Sequence, residues 1–70
     1  MEFVYILQFK SGGEMEDIAI YLDREKAMNC LKTKWETRSI LAYKLEDEVA
    51  SELMYVYTCD ETGKITQFKI

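Results

Sequence analysis

The run Asp23-Arg24-Glu25-Lys26-Ala27-Met28-Asn29-Cys30-Leu31-Lys32-Thr33-Lys34-Trp35-Glu36-Thr37 carries the strongest periodic signal in the chain. Asp23 stands where a helix N-cap belongs, its carboxylate able to accept from an otherwise unpaired amide of the first turn. Glu25 suits the positive end of the helix dipole. Ala27, Leu31 and Trp35 recur at i, i+4 and i+8 with Met28 beside them, giving one apolar stripe. Lys32, Lys34 and Arg38 bring positive charge to the last turns, where the dipole favours it. The spacing predicts a helix over Arg24 to Thr37, with Trp35 and Leu31 buried together against a sheet.

Both flanks read as strands. Upstream, Phe3-Val4-Tyr5-Ile6-Leu7-Gln8-Phe9 is apolar at odd and even positions alike, as expected of an interior strand covered on both faces. Lys10-Ser11-Gly12-Gly13-Glu14 follows, and the paired glycines predict a hairpin loop. Asp17 to Leu22 is a second predicted strand, with Ile18, Ile20 and Leu22 on one face and Ala19 and Tyr21 on the other. Downstream, Ser39 to Leu45 alternates, with Leu41, Tyr43 and Leu45 opposite Ile40 and Ala42. The acidic stretch Glu46-Asp47-Glu48, running on to Glu52, predicts a solvated loop. Leu53 to Cys59 is the next strand, with Leu53, Tyr55, Tyr57 and Cys59 opposite Met54, Val56 and Thr58. Asp60-Glu61-Thr62-Gly63 signals a hairpin, because Gly63 can take the left-handed conformation that closes such a turn. Lys64 to Ile70 closes the series. The order β-β-α-β-β-β predicts an α+β fold, an antiparallel sheet with one helix packed on one face, in a single domain over residues 1–70.

Composition bounds what such a domain can do. A chain of 70 residues hides only ~60% of its unfolded surface, so its core is a marginal source of stability. Small domains supplement such a core with disulfides, metal or self-association. Two cysteines, Cys30 and Cys59, are too few for a disulfide scaffold, and with no histidine a zinc site is not expected. Self-association is therefore the expected supplement. The amino terminus lacks the basic and apolar regions of a signal peptide, and no apolar run approaches the ~20 residues of a membrane span. A cytoplasmic protein with reduced thiols and no membrane partner is the expectation. A net charge of −4 argues for solubility and against general nucleic-acid affinity.

The absent histidine removes the commonest general base and nucleophile activator, so Ser-His-Asp and Cys-His arrangements cannot be built within this chain. Gly12-Gly13 precedes a strand rather than a helix and has no Gly-Lys-Ser/Thr after it, so a hairpin turn explains it better than a phosphate cradle. Neither Glu14-Met15-Glu16-Asp17 nor Glu46-Asp47-Glu48 has the spaced ligands and glycine of a calcium loop. No metal or cofactor is expected. Both cysteines read as packing residues.

Two surfaces remain as binding candidates. Alternation groups Tyr55 with Tyr57 and sets Tyr21 opposite the face expected to meet the helix; Tyr43 joins them if Ile40 and Ala42 face the helix. That would make the uncovered sheet face aromatic and partly apolar, as interface cores often are, although tyrosines also cap core edges with their hydroxyls in water. The second candidate is the basic helix, Arg24, Lys26, Lys32, Lys34 and Arg38, for which a solvated outer face is the plainer reading.

Val4-Tyr5-Ile6-Leu7, a loop, and then Ile20-Tyr21-Leu22-Asp23-Arg24-Glu25-Lys26-Ala27 form a strand entering a helix through a short polar cap. This pattern loosely resembles small phage and bacterial ββα-type proteins of uncharacterised function. The resemblance covers about the first half of the chain and transfers no catalytic residue. It implies a phage setting, in which small acidic proteins occupy a host defence protein or sequester a signal nucleotide. The expectation is thus a non-catalytic, self-associating interaction protein that blocks a host protein. The alternative is a nucleotide-binding protein in which rings stack on a base and Lys or Arg holds phosphate. A third reading is a small enzyme using carboxylates or tyrosine hydroxyls.

Overall fold

The computed structural model describes residues 2–11 and 14–70, with side chains for 2–9 and 19–70. The elements are β1 (Phe3–Ser11), β2 (Glu14–Tyr21), α1 (Arg24–Thr33), β3 (Arg38–Glu46), β4 (Val49–Cys59) and β5 (Ile65–Lys69). All neighbouring strands pair antiparallel, in the sheet order β2-β1-β3-β4-β5. β1 is an interior strand, as its apolar residues of both parities predict. The chain leaves β2, crosses β1 through α1, and returns as β3 on β1's other side. Gly12 and Gly13, expected to form a hairpin loop, lie outside the described residues, as do the side chains of Ile18 and of the stretch Glu14-Met15-Glu16-Asp17.

The α+β architecture and the element order match the sequence reading. Lys10, Ser11 and Glu14, expected in the first loop, are paired strand residues, so β2 starts at Glu14 and not Asp17. Two larger differences lie further along the chain. The acidic loop expected to run from Glu46 to Glu52 shrinks to a two-residue turn. Asp47 (φ 49°) and Glu48 (φ 65°) take positive φ, which matches the strand twist, and Glu46 pairs with Val49. Ser51 Oγ then donates to the Lys44 carbonyl at 3.0 Å, so Val49 to Glu52 belong to a strand. The second hairpin forms where expected. The Asp60 carboxylate accepts from Thr62 N, Thr62 Oγ1 and Lys64 N at 2.9, 2.6 and 3.0 Å, and Gly63 (φ 87°) closes the turn. Those hydrogen bonds, led by the one from the Thr62 side chain, hold the Asp60 carboxyl below the usual carboxylate range.

The second difference lies in the helix. Asp23 Oδ1 accepts from Glu25 N at 2.9 Å, so the predicted cap is present. The helix stops at Thr33, however, and Lys34 (φ −137°, ψ 56°) leaves helical geometry. The chain turns over residues 34–37, with Thr37 N donating to the Lys34 carbonyl. Arg38 is not a helix residue: it opens β3, and its Nη1 donates to the Cys30 carbonyl at 2.9 Å. One orphan carbonyl of the last turn is satisfied from the sheet rather than by further helix. Trp35 therefore departs from the stripe and is 38% exposed, instead of being buried beside Leu31.

The core lies between α1 and one face of the sheet. Ala27, Leu31, Ile40 and Ala42 are wholly buried, and Met28, Leu7, Tyr5, Tyr57 and Cys59 complete it. The small side chains Ala27 and Ala42 let helix and sheet approach closely, leaving room beside them for large rings.

Candidate functional site

The structure separates the tyrosines that the alternation grouped. Tyr57 is a core residue, and Tyr21 and Tyr55 pack against that core, so all three project on the helix's side of the sheet. The expectation that Tyr21, Tyr55 and Tyr57 share the uncovered face is corrected. Tyr43 alone lies there, because Ile40 and Ala42 do face the helix. The reason is a mismatch of lengths. A helix of 10 residues rises ~15 Å, whereas a strand of 9 residues such as β1 runs ~30 Å. The part of the sheet that α1 cannot reach is roofed by rings instead. Phe3, Tyr5, Tyr55 and Tyr57 form a chain with centroid separations of 5.8–6.5 Å. Tyr5 and Tyr57 are buried within this chain of rings, while Phe3 and Tyr55 are partly exposed at its outer end.

The basic residues are likewise dispersed. Lys26, Lys32 and Lys34 are exposed. Arg24 sits over the Tyr57 ring, 5.5 Å from its centroid, and Arg38 is tied to the far end of the helix. Tyr21 Oη and Cys30 Sγ are 2.9 Å apart, and both cysteines are free thiols. Near Arg24 a cavity of about 340 Å³ opens between Glu2, Phe3, Tyr5, Leu22, Arg24 and Leu45. Burial, and then the neighbouring Tyr57, push the Tyr5 phenol up, with Arg24 opposing, so Tyr5 is a protonated donor at neutral pH. Sequence reading missed Tyr5, since nothing in β1 alone shows that its odd positions face the helix. Among the described residues, no group of three or more Cys, Asp or Glu could hold a metal ion. Among the described residues, no helix is long and apolar enough to cross a membrane.

The uncovered face is aliphatic. Register places Ile20 beside Ile6, Ile6 beside Leu41, Leu41 beside Val56, and Val56 beside Phe68. Paired residues share a face, so this row crosses the whole sheet with one apolar side chain from every strand. Its ends are open, Ile20 at 70% and Phe68 at 52% exposure. A second apolar row lies alongside, Val4 beside Tyr43 and Tyr43 beside Leu53. Here a register shift after Ala42 breaks the alternation of β4 and brings Leu53 to Tyr43's face, away from Tyr55 and Tyr57. On the other flank the residues are polar, with Asp17 beside Gln8, Gln8 beside Ser39 and Thr58 beside Thr66.

Comparison of the chain with protein families, curated proteins and solved structures found no match.

Proposed function

We propose that this chain is a non-catalytic interaction protein whose main contact surface is the open sheet face. The apolar row from Ile20 to Phe68 is the observation that carries this reading. A continuous apolar stripe across a whole sheet has no part in the monomer's core, and large exposed apolar patches mark interaction sites. In the phage setting implied by the resemblance, the activity would be inhibition of a host protein by contact. The test compares the parent with Phe68→Glu, a change at an exposed end of the row, by size-exclusion chromatography and by capture from host lysate. The parent should associate, and the variant, with an unchanged circular dichroism spectrum, should not. Equal association by the folded variant counts against the proposal.

The nucleotide reading has one feature in its favour, the cavity beside Arg24. Aromatic walls from Phe3 and Tyr5 with a single guanidinium suit a planar base carrying phosphate. A thermal-shift screen of nucleotides against the parent and Arg24→Ala tests it. A parent unmoved by every nucleotide removes this reading.

A further inference from the structure

The apolar rows of the open face span the sheet and are wider than any element of the chain could cover, which raises the question of what covers them. We infer that its occupant is a second copy of this chain, the two sheets packing face to face about a two-fold axis parallel to β3. This inference rests on the open face being a contact surface.

Area comes first. Strands ~4.8 Å apart make the sheet roughly 24 Å wide, and three rows spaced ~7 Å apart along the strands give a footprint of about 500 Å² per copy. That is roughly a tenth of the 4887 Å² the chain exposes, and two copies together reach the ~1,000 Å² that separates specific interfaces from incidental contacts.

Charge comes second. Arg38 is paired with Phe9, Lys44 with Phe3 and Glu52, and Lys69 with Tyr55, so these charges project on the helix's side. Glu46 is held by Lys44 at 2.6 Å. The two apolar rows of the open face carry no formal charge, and in the polar flank register sets Asp17 beside Gln8 at the β2 edge. Such a face offers nothing to a phosphate backbone or a strongly charged protein. It is what two chains of net charge −4 require if they are to meet, because their like charges then stay at the turns and on the outer layers.

The pattern of rows selects the axis. A two-fold parallel to β3 keeps each row at its own height, laying apolar on apolar and polar on polar. It reverses the order within a row, so Leu41 meets Leu41 and Ile20 of one copy meets Phe68 of the other. A two-fold along the row would instead lay the row of Val4, Tyr43 and Leu53 over the polar flank. Self-complementary contact of this kind is what closed dimers use, and aligned sheets pack ~10 Å apart in sandwiches.

Sedimentation equilibrium of the purified chain, with no other protein present, tests this. The parent should sediment at twice the 8.3 kDa chain mass. Phe68→Glu and Ile20→Lys, each at an exposed end of the row, should sediment at the single-chain mass with the parent's circular dichroism. Asn29→Glu, which adds the same charge on the exposed side of α1, should remain dimeric. Mixing Phe68→Glu with Ile20→Lys should restore the doubled mass, because the axis brings those two positions together across the interface. A parent of single-chain mass overturns the inference, as does a dimer that survives in both folded variants. Two monomeric variants that fail to recombine overturn the axis. If the parent is monomeric, the dye 8-anilinonaphthalene-1-sulfonate separates the two ideas. Dye binding lost in Phe68→Glu leaves the face as a contact surface and removes only the second copy; no dye binding removes both.

Discussion

Ile40 and Leu41 are neighbours on β3, yet they belong to two differently built surfaces. Ile40 points under the helix into a wholly buried position, among Leu7, Ala42 and Tyr57. Leu41 points the other way, into a row of aliphatic side chains that no element of the chain covers. The helix's side ends in aromatic rings, with Tyr5 and Tyr57 buried and only Phe3, Tyr21 and Tyr55 partly exposed at its margin. The open side ends in Ile20 and Phe68, which have no polar end to offer. Here tyrosines serve both the core and its edge, whereas an uninterrupted aliphatic row asks for a lid.

The largest effects should fall on the helix's side. Leu31→Ala and Ile40→Ala each remove a wholly buried side chain and should cost about 2–5 kcal/mol. Against a total stability of ~5–15 kcal/mol, either change takes a large share. Urea denaturation is the measurement. A parent-like midpoint for Leu31→Ala would mean that α1 does not seal this face.

Leu41→Ala should cost less in dilute solution, about 1–2 kcal/mol, because the side chain is only partly buried in the single chain. Its cost should also rise with protein concentration, since association buries the row in the parent and stabilises the folded state by mass action. Melting curves of the parent and Leu41→Ala over a range of concentrations read this directly. If the gap between them is constant, the two faces differ in composition but not in use.

Trp35→Ala should cost only about 1 kcal/mol, well under the ~3–5 kcal/mol of a fully buried tryptophan. At 38% exposure and beyond the helix end, Trp35 contributes to neither face as a core residue. A loss as large as that of Leu31→Ala, measured in the same urea series, would contradict this placement.

These contrasts also show what was legible in the sequence. Capping by Asp23, the turn at Gly63 and the interior position of β1 follow from local chemistry, and each is present in the structure. The face of each strand was harder. Both parities of β3 are apolar, Ile40 and Ala42 against Leu41, Tyr43 and Leu45, so alternation alone does not tell which meets the helix. Assigning the tyrosines to the uncovered face rested on alternation, with the face of β2 opposite Tyr21 expected to meet the helix, whereas Tyr21 packs against the core and Ile20 is exposed. Arg38 reaching back to the Cys30 carbonyl belongs to a shorter helix, and that contact joins residues whose pairing no periodicity encodes. The register shifts in β4 are equally silent in sequence, yet they decide that Leu53 and Tyr55 part company.

The smallest effect concerns alkali and separates the two sides by titration. Burial raises the Tyr5 phenol, with Tyr57 adding to the shift and Arg24 opposing it. Tyr21 is also raised, first through its hydrogen bond with Cys30. A phenol raised on folding favours the protonated form in the folded state. Its contribution to stability is therefore complete below the ordinary phenol value of ~10 and is lost as pH rises through the folded value. Ultraviolet absorbance of phenolate, taken as the difference between the parent and Tyr5→Phe, isolates Tyr5 from the other tyrosines. The difference curve should rise above pH ~10, and stability measured through the same range should fall less steeply in Tyr5→Phe than in the parent. Arg24→Ala should move the Tyr5 curve higher still, since it removes the cation that favours phenolate. A Tyr5 curve centred at or below the ordinary phenol value would show that water reaches this ring freely, and the aromatic roof beside the helix would then be as open as the aliphatic row beneath the sheet.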